Sequence, residues 1–260
     1  MTIALVSLSS QGARVVMALR ARLAGSEVYL HKEVGEFPEA QRFERIADLT
    51  RDLFPRCRGI VFIAPTGLVV RAIAPCLKDK RTDPAVVVVD VGGRWAVSLL
   101  SGHEGGANEL AMTVANLLAA EPVITTTTEA AKRIIVGVGC RRGTTAAAII
   151  EAVRQALATA GVALEEVRLL ASADIKRDEA GLLGASRELG IPLRLVSSEE
   201  IRSSSLDFER SDFVREKVDL PAVAEPAALL AGRRTRLLLA KQKYENVTVA
   251  LAVESCTWSE

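Results

Sequence analysis

Residues 85–90 read AVVVVD, and no other stretch restricts the possible folds of this chain so sharply. A strand with one wet face alternates polar and apolar residues. Consecutive apolar residues therefore describe a strand covered on both sides, as in the parallel sheet of an α/β protein. The surrounding sequence fits. IALVSLS near the start, GIVFIA at 59–64 and WAVSLL at 95–100 read as further strands. Between them, residues 11–23 carry Val15, Val16, Leu19 and Leu23 at helical spacing, and Ala107, Leu110, Ala111, Val114, Leu117 and Leu118 lay one apolar stripe along a second helix. PVITTTT at 122–128 is a strand running into a threonine-rich turn, and EAAKR is a short joint.

The alternation then restarts. RIIVGVG, EEVRLLASA and IPLRLVS read as strands. Helices follow the first two, closed by Gly161 and Gly190. AEPAALLAG is a short helix that tolerates Pro226 near its start, SSS near 204 is a loop, and residues 234–254 form a closing hairpin around Glu245 and Asn246. The expected fold class is α/β, with two α/β domains, 1–130 and 131–260, each a largely parallel central sheet flanked by helices.

Composition removes several functional classes. A net charge of +1 over 260 residues gives no general attraction for nucleic acid or anionic membrane, and 4% aromatics is thin for base stacking. No apolar stretch reaches 18 residues, and the N-terminal apolar run has no basic segment before it, so neither a membrane span nor a signal peptide is expected. Cys57, Cys76, Cys140 and Cys256 are scattered without C-x-x-C pairing. That pattern fits a reducing cytoplasm and gives no zinc site.

Three strand-to-helix junctions carry chemistry. LLSGHEGGAN, residues 99–108, sets His103 and Glu104 among Ser101, Gly102, Gly105, Gly106 and Asn108. With a strand ending at Leu100 and a helix starting near Gly105, the loop is expected at the carboxyl edge of a sheet, where open α/β folds bind ligands. The glycine N–H groups could hold an anion or an oxyanion, and an imidazole moves a proton near neutral pH. Glu104 would orient that imidazole or act as a base itself. The plainer alternative is a tight turn with His103 hydrogen-bonded inside it.

The second junction places Thr66 and Gly67 directly after a strand, with Arg71 one turn on, a cation suited to a carboxylate. Lys78, Lys80 and Arg81 follow, as ligand groups or as a solvated run. The third, GVGCRRGTT at 137–145, fails both the Walker and the dinucleotide spacing. What remains is an anion loop of Gly139, Cys140, Arg141, Arg142, Gly143 and Thr144, with helix capping by Thr144 as the alternative use of its hydroxyl.

GLVVRAIAPCLKDKRTDPAVVVVDVGGRWAVSLLSGHEGGANELA, PVITTTT, VGVGCRRGTTAAAI, ASADIKRDEAGLLGASRELGIPL and VAEPAALLA together resemble the CbiG family of cobalamin biosynthesis proteins, the cobalt-precorrin-5A hydrolases. The blocks cover nearly the whole chain. The resemblance implies opening of a δ-lactone on a tetrapyrrole-derived ring rich in carboxylates, with release of acetaldehyde to give cobalt-precorrin-5B. It implies no cofactor, since cobalt is carried by the substrate, and no metal site on the protein. His103 with Glu104 would activate water, Gly105 and Gly106 would hold the oxyanion, and Ser101 as a covalent nucleophile is a weaker variant. Arg71, Arg141 and Arg142 would grip carboxylates, with Lys176 and Glu225 as further cleft members. The family carries a middle segment that EAAKR replaces here, and ITTTTE stands where the family reads ITTATD. The expected partner is the small-molecule tetrapyrrole. A homodimer, or contact with other enzymes of the cobalamin pathway, is left open. A non-catalytic carrier of a corrinoid intermediate is the alternative function.

Overall fold

The computed structural model describes residues 2–205 and 222–255, so Cys256 lies outside the described residues. The chain divides into two compact units, Met1–Thr126 and Thr127–Glu260. Each is an α/β layer structure.

In the first unit the elements run β1 (Thr2–Ser7), α1 (Ser10–Arg20), β2 (Ser26–His31), β3 (Gln41–Phe43), α2 (Ile46–Leu53), β4 (Cys57–Ile63), α3 (Thr66–Ile73), β5 (Ala85–Val89), β6 (Trp95–Leu100), α4 (Ala107–Leu118) and β7 (Glu121–Val123). The sheet order is β3-β2-β1-β4-β5-β6-β7. Strands β3 to β5 in that order are all parallel; β6 runs antiparallel to β5, and β7 is parallel to β6. The continuous apolar runs are explained by the two cores they serve. Leu5, Val61, Ile63, Val87 and Val89 pack with α1 and α4 on one face, while Ala4, Val6, Ile60, Phe62, Val86 and Val88 pack with α2 and α3 on the other. Each valine of AVVVV therefore leaves water, at roughly 1.5–3 kcal/mol per side chain.

The reversal at β6 has a local cause. Only residues 90–94 separate it from β5, and a parallel crossover needs a dozen or more. The Asp90 carboxylate accepts the N–H groups of Gly92, Arg94 and Trp95 at 3.1, 2.7 and 2.9 Å, and Gly93 takes φ +66° to complete the hairpin.

The second unit runs α5 (Thr127–Ala130), β8 (Ile134–Cys140), α6 (Ala146–Ala160), β9 (Val167–Ala173), α7 (Ala180–Leu189), β10 (Leu193–Val196), α8 (Ser198–Ser203), α9 (Ala224–Leu230), β11 (Thr235–Tyr244) and β12 (Val247–Glu254). Its sheet order is β10-β9-β8-β12-β11, with β8, β9 and β10 parallel and the β11/β12 hairpin antiparallel beside β8. Helices α6 and α7 cover one face through Ile149, Val153, Leu157, Leu182 and Ala185. On the other face, α9 lies directly on the β8 backbone. A Cβ on Gly137 would stand 1.9 Å from the Ala224 carbonyl oxygen, and one on Gly139 would stand 2.5 Å from Thr248 Oγ1.

Candidate functional site

The 101–106 loop is held by its own backbone. Ser101 turns the chain out of β6 at φ +58°, and its carbonyl accepts the N–H groups of Gly105 and Ala107, both at 3.1 Å. The Gly102 carbonyl accepts the Asn108 N–H at 2.9 Å, and Gly106, at φ +84°, caps α4. Gly105 must lack a side chain, since a Cβ there would sit 2.3 Å from Ser101 Cβ. Asn108 accepts the Ser98 hydroxyl at 2.8 Å and donates to Thr126 Oγ1 at 3.0 Å, tying β6 to the threonine segment after β7. These contacts leave His103 and Glu104 exposed at the tip.

Neighbouring cations come from the 77–84 loop, which is folded around Asp83. That carboxylate is 7% exposed and accepts the Lys78 N–H through both oxygens, at 3.2 and 3.1 Å. Lys80 then meets Glu104 Oε1 at 2.5 Å. The Lys80 hydrogen bond, aided by Glu104's own backbone N–H, holds the Glu104 carboxyl below the usual carboxylate range, and the same bond pushes the Lys80 ammonium up. Glu104 is thus an anchored anion, paired with Lys80 in place of the imidazole. No protein group hydrogen-bonds the His103 ring among the described residues. The contrast with His31 is plain: its Nε2 faces the Glu44 carbonyl at 3.0 Å and its Nδ1 accepts the Glu33 N–H at 3.4 Å, so both ring nitrogens are engaged.

Two expected roles look different in this geometry. The Gly105 N–H is already spent on Ser101, which leaves the Gly106 N–H as the loop donor for an oxyanion. Among the described residues Ser101 Oγ is buried and hydrogen-bonds to no base, whereas a serine nucleophile needs one within reach.

The edge on which this loop sits corrects the sequence expectation. Because β6 is antiparallel to β5, with Leu100 opposite Val86, the loop lies at the carboxyl ends of β6 and β7 but at the amino edge of the five parallel strands. Thr66, Gly67 and Arg71 follow the carboxyl end of β4 and so begin at the opposite edge, about 20 Å away for six residues of strand. All three are exposed, and Arg71 donates back to the Gly67 carbonyl at 3.0 Å. The structure does not bring them to the 101–106 loop; it brings Lys80 to Glu104, and Asn108 and Thr126 to Gly102.

In the second unit, residues 140–145 leave the carboxyl end of β8. The Arg141 N–H donates to the Asn246 carbonyl at 2.9 Å, Thr144 Oγ1 donates to the Arg141 carbonyl at 2.7 Å, and the Gly143 N–H donates to Glu179 Oε1 at 2.7 Å. The helix cap is Thr145, whose hydroxyl accepts the Ala148 N–H at 3.3 Å; Thr144, the sequence's alternative for that role, is one residue too early. The guanidinium-bearing residues Arg141 and Arg142 are exposed on this turn. Cys140 is half-buried, and burial pushes its thiol up, with Lys176 acting against the rise and Glu179 adding to it. Lys176 pairs with Glu179 at 3.5 Å, side chains 16% and 10% exposed. Glu225 is 2% exposed and accepts the Lys241 N–H at 2.8 Å where the pairing of β11 with β12 is irregular, so it braces the sheet from within. Glu179 is the residue sequence reasoning missed. Its signal was an acid three positions after Lys176, inside KRDEAG.

Among the described residues no group of three or more His, Cys, Asp or Glu side chains could hold a metal ion, and no helix is long and apolar enough to cross a membrane.

Known proteins match the chain along most of its length. The family model for the cobalamin synthesis G N-terminal domain matches residues 48–129, and that for the cobalamin synthesis G C-terminus matches 134–252. The chain is 28% identical to the cobalt-precorrin-5A hydrolase of Priestia megaterium over an alignment of 353 residues that covers 96% of this chain and 94% of that protein. It is 25% identical to the enzyme of the same name from Salmonella typhimurium, covering 80% of this chain and 85% of that one. Among solved structures it is similar to CobE, a protein from the cobalamin biosynthetic pathway, with 30% identity, a TM-score of 0.45, and coverage of 47% of this chain and 90% of that one.

Proposed function

This chain belongs to the CbiG family of cobalamin synthesis proteins, and from that premise we propose that it is a cobalt-precorrin-5A hydrolase. The observation that carries the reading is similarity to a hydrolase of that name running through both units, over 96% of this chain and 94% of its relative.

The chemistry asks for a base that can take a proton twice. Water adds to the lactone carbonyl, the acyl C–O bond breaks, and the ring gains a carboxylate and a free hydroxyl. Removing the hydroxyl proton then lets the neighbouring C–C bond break. Its electron pair stays in the macrocycle, and the hydroxyl-bearing carbon leaves as acetaldehyde. His103, exposed and with no hydrogen bond to its ring among the described residues, is suited to both proton transfers. The Gly106 N–H faces the oxyanion of the first step, and Glu104, held by Lys80, keeps the loop tip in place.

Binding falls to the cations. In the first unit these are exposed Lys78 and Arg81 of the 77–84 loop, Arg81 being paired with Asp79, and in the second unit Arg141 and Arg142 on the 140–145 turn; guanidinium groups match carboxylates in a two-pronged way. The cobalt enters and leaves with the substrate. Scattered cysteines fit a reducing cytoplasm, where such an intermediate would be handled.

The test is anaerobic incubation with cobalt-precorrin-5A and trapping of acetaldehyde. Wild type is expected to release it, and His103→Ala to lose about 10²- to 10⁴-fold in rate while still binding the ring. A ring that binds to wild type without acetaldehyde release would identify a carrier instead.

A further inference from the structure

Glu179 has no part in the chemistry above, yet the 140–145 turn hangs on it. Its Oε1 accepts the Gly143 N–H at 2.7 Å across 36 residues of sequence, and its other oxygen faces Lys176 Nζ. Gly143 sits at φ +79°, in the left-handed region that glycine enters without steric cost, which turns its N–H toward Glu179. The remaining ties close around it. Asn246 holds the Arg141 N–H, Arg141 holds the Thr144 hydroxyl, and the bare Cα of Gly181 lets α7 press against the Thr144 carbonyl, where a Cβ would come within 1.9 Å. Arg141 and Arg142 therefore stand on a turn fixed at its start, middle and end.

A carboxylate beside a pair of arginines would ordinarily spoil an anion site by repelling its ligand. Here Lys176 neutralises it, and both side chains are largely withdrawn from water. The arrangement keeps the hydrogen-bonding use of Glu179 and cancels its charge.

We propose that Glu179 is a positioning residue for substrate binding: by holding the Gly143 amide it fixes the turn that presents Arg141 and Arg142 to carboxylates at the rim of the macrocycle. The inference rests on the reading that this turn grips substrate. A turn fixed beforehand loses less freedom on binding, so the benefit appears in affinity and not in the chemical step.

The experiment is steady-state acetaldehyde release by the full-length chain, with ring binding followed by absorbance titration, for wild type, Glu179→Ala, Glu179→Gln and Lys176→Ala. Glu179→Ala is expected to raise KM and Kd about tenfold with kcat within about twofold, the size of one lost charge-assisted bond. Glu179→Gln keeps an oxygen for the Gly143 N–H and should recover most of that loss. Lys176→Ala leaves a bare carboxylate near the arginines and should also raise KM; it decides the matter if Glu179→Ala fails to fold. An unchanged KM in Glu179→Ala, a fall confined to kcat, or Glu179→Gln behaving like Glu179→Ala would overturn the proposal. Absence of acetaldehyde from wild type would instead count against the hydrolase reading, and ring titration of the same variants would still test Glu179.

Discussion

The 101–106 and 140–145 loops look alike in sequence: each follows an apolar strand, precedes a helix and is rich in glycine. In the structure they are held in different ways. The first is folded by its own carbonyls, with Ser101 and Gly102 accepting the N–H groups of residues 105, 107 and 108, and its one titratable ring is left at the tip. The second is held from outside, by Asn246, Glu179 and the backbone of α7. Glycine density at a strand-to-helix turn thus reports close backbone approach. What an exposed amide or side chain can do there depends on which neighbours have already used its partners.

The sharpest way to break this contrast is to push α7 off the second loop. Gly181→Ala places a methyl group where the Thr144 carbonyl stands, and backbone cannot step aside as a flexible side chain can. A loss of about 3 kcal/mol is expected, at the upper end of overpacking, read by chemical denaturation as an earlier transition. Gly106→Ala is the control in the first loop. No atom lies within 4 Å of the added Cβ, so only the strain of φ +84° is incurred, about 1–2 kcal/mol. Equal losses in the two variants would mean that the second loop is not held by packing.

This contrast also sets how much could be read in advance. The buried strands were legible, because five apolar residues in a row have only one economical use, and so were α4 and α6, whose stripes persist over three or more turns. The direction of β6 was present in the sequence but went unread: DVGGR is too short to cross over and carries the Asp and Gly of a hairpin. Strand β3, three residues long, and helix α2, eight, offer too little periodicity to register. Gly137 and Gly139 look like part of an anion loop until distant neighbours are seen against them, α9 on Gly137 and Thr248 of β12 on Gly139. Glu179 was hidden for the same reason, since its partner Gly143 is distant in sequence and a local reading sees only an acid near a lysine.

A smaller effect separates two adjacent threonines. Thr145 satisfies an otherwise orphan N–H at the start of α6, so Thr145→Ala should cost about 1 kcal/mol, with the local helix fraying first in hydrogen exchange. Thr144 donates to the Arg141 carbonyl inside the turn. Thr144→Ala should leave α6 protection unchanged and show its effect in ring affinity, in the same direction as Glu179→Ala but weaker. If the two variants fray α6 equally, the assignment of the cap to Thr145 is wrong.

The smallest effect tests whether the first loop is as self-contained as it looks. Among the described residues its side-chain tie to another loop is the ion pair of Glu104 with Lys80, between exposed side chains. Because pairing lowers the Glu104 carboxyl below its unfolded value, its contribution is present above that value and disappears as the pH falls through the lower, folded one. The Lys80 ammonium is raised, so the pair also weakens when the pH climbs past the unfolded lysine value toward the folded one. Between those limits Lys80→Ala should melt slightly below wild type, and the gap should close in acid, in strong alkali and at high salt, as screening dictates for a surface pair. The functional consequence is more telling than the stability. With Lys80 gone, Glu104 returns toward an ordinary carboxylate and is free to turn to His103, so the acid limb of the acetaldehyde-release profile should shift. An unmoved acid limb would show that turnover does not depend on the pairing of Glu104 with Lys80, and that this tie is not needed for the first loop to do its work.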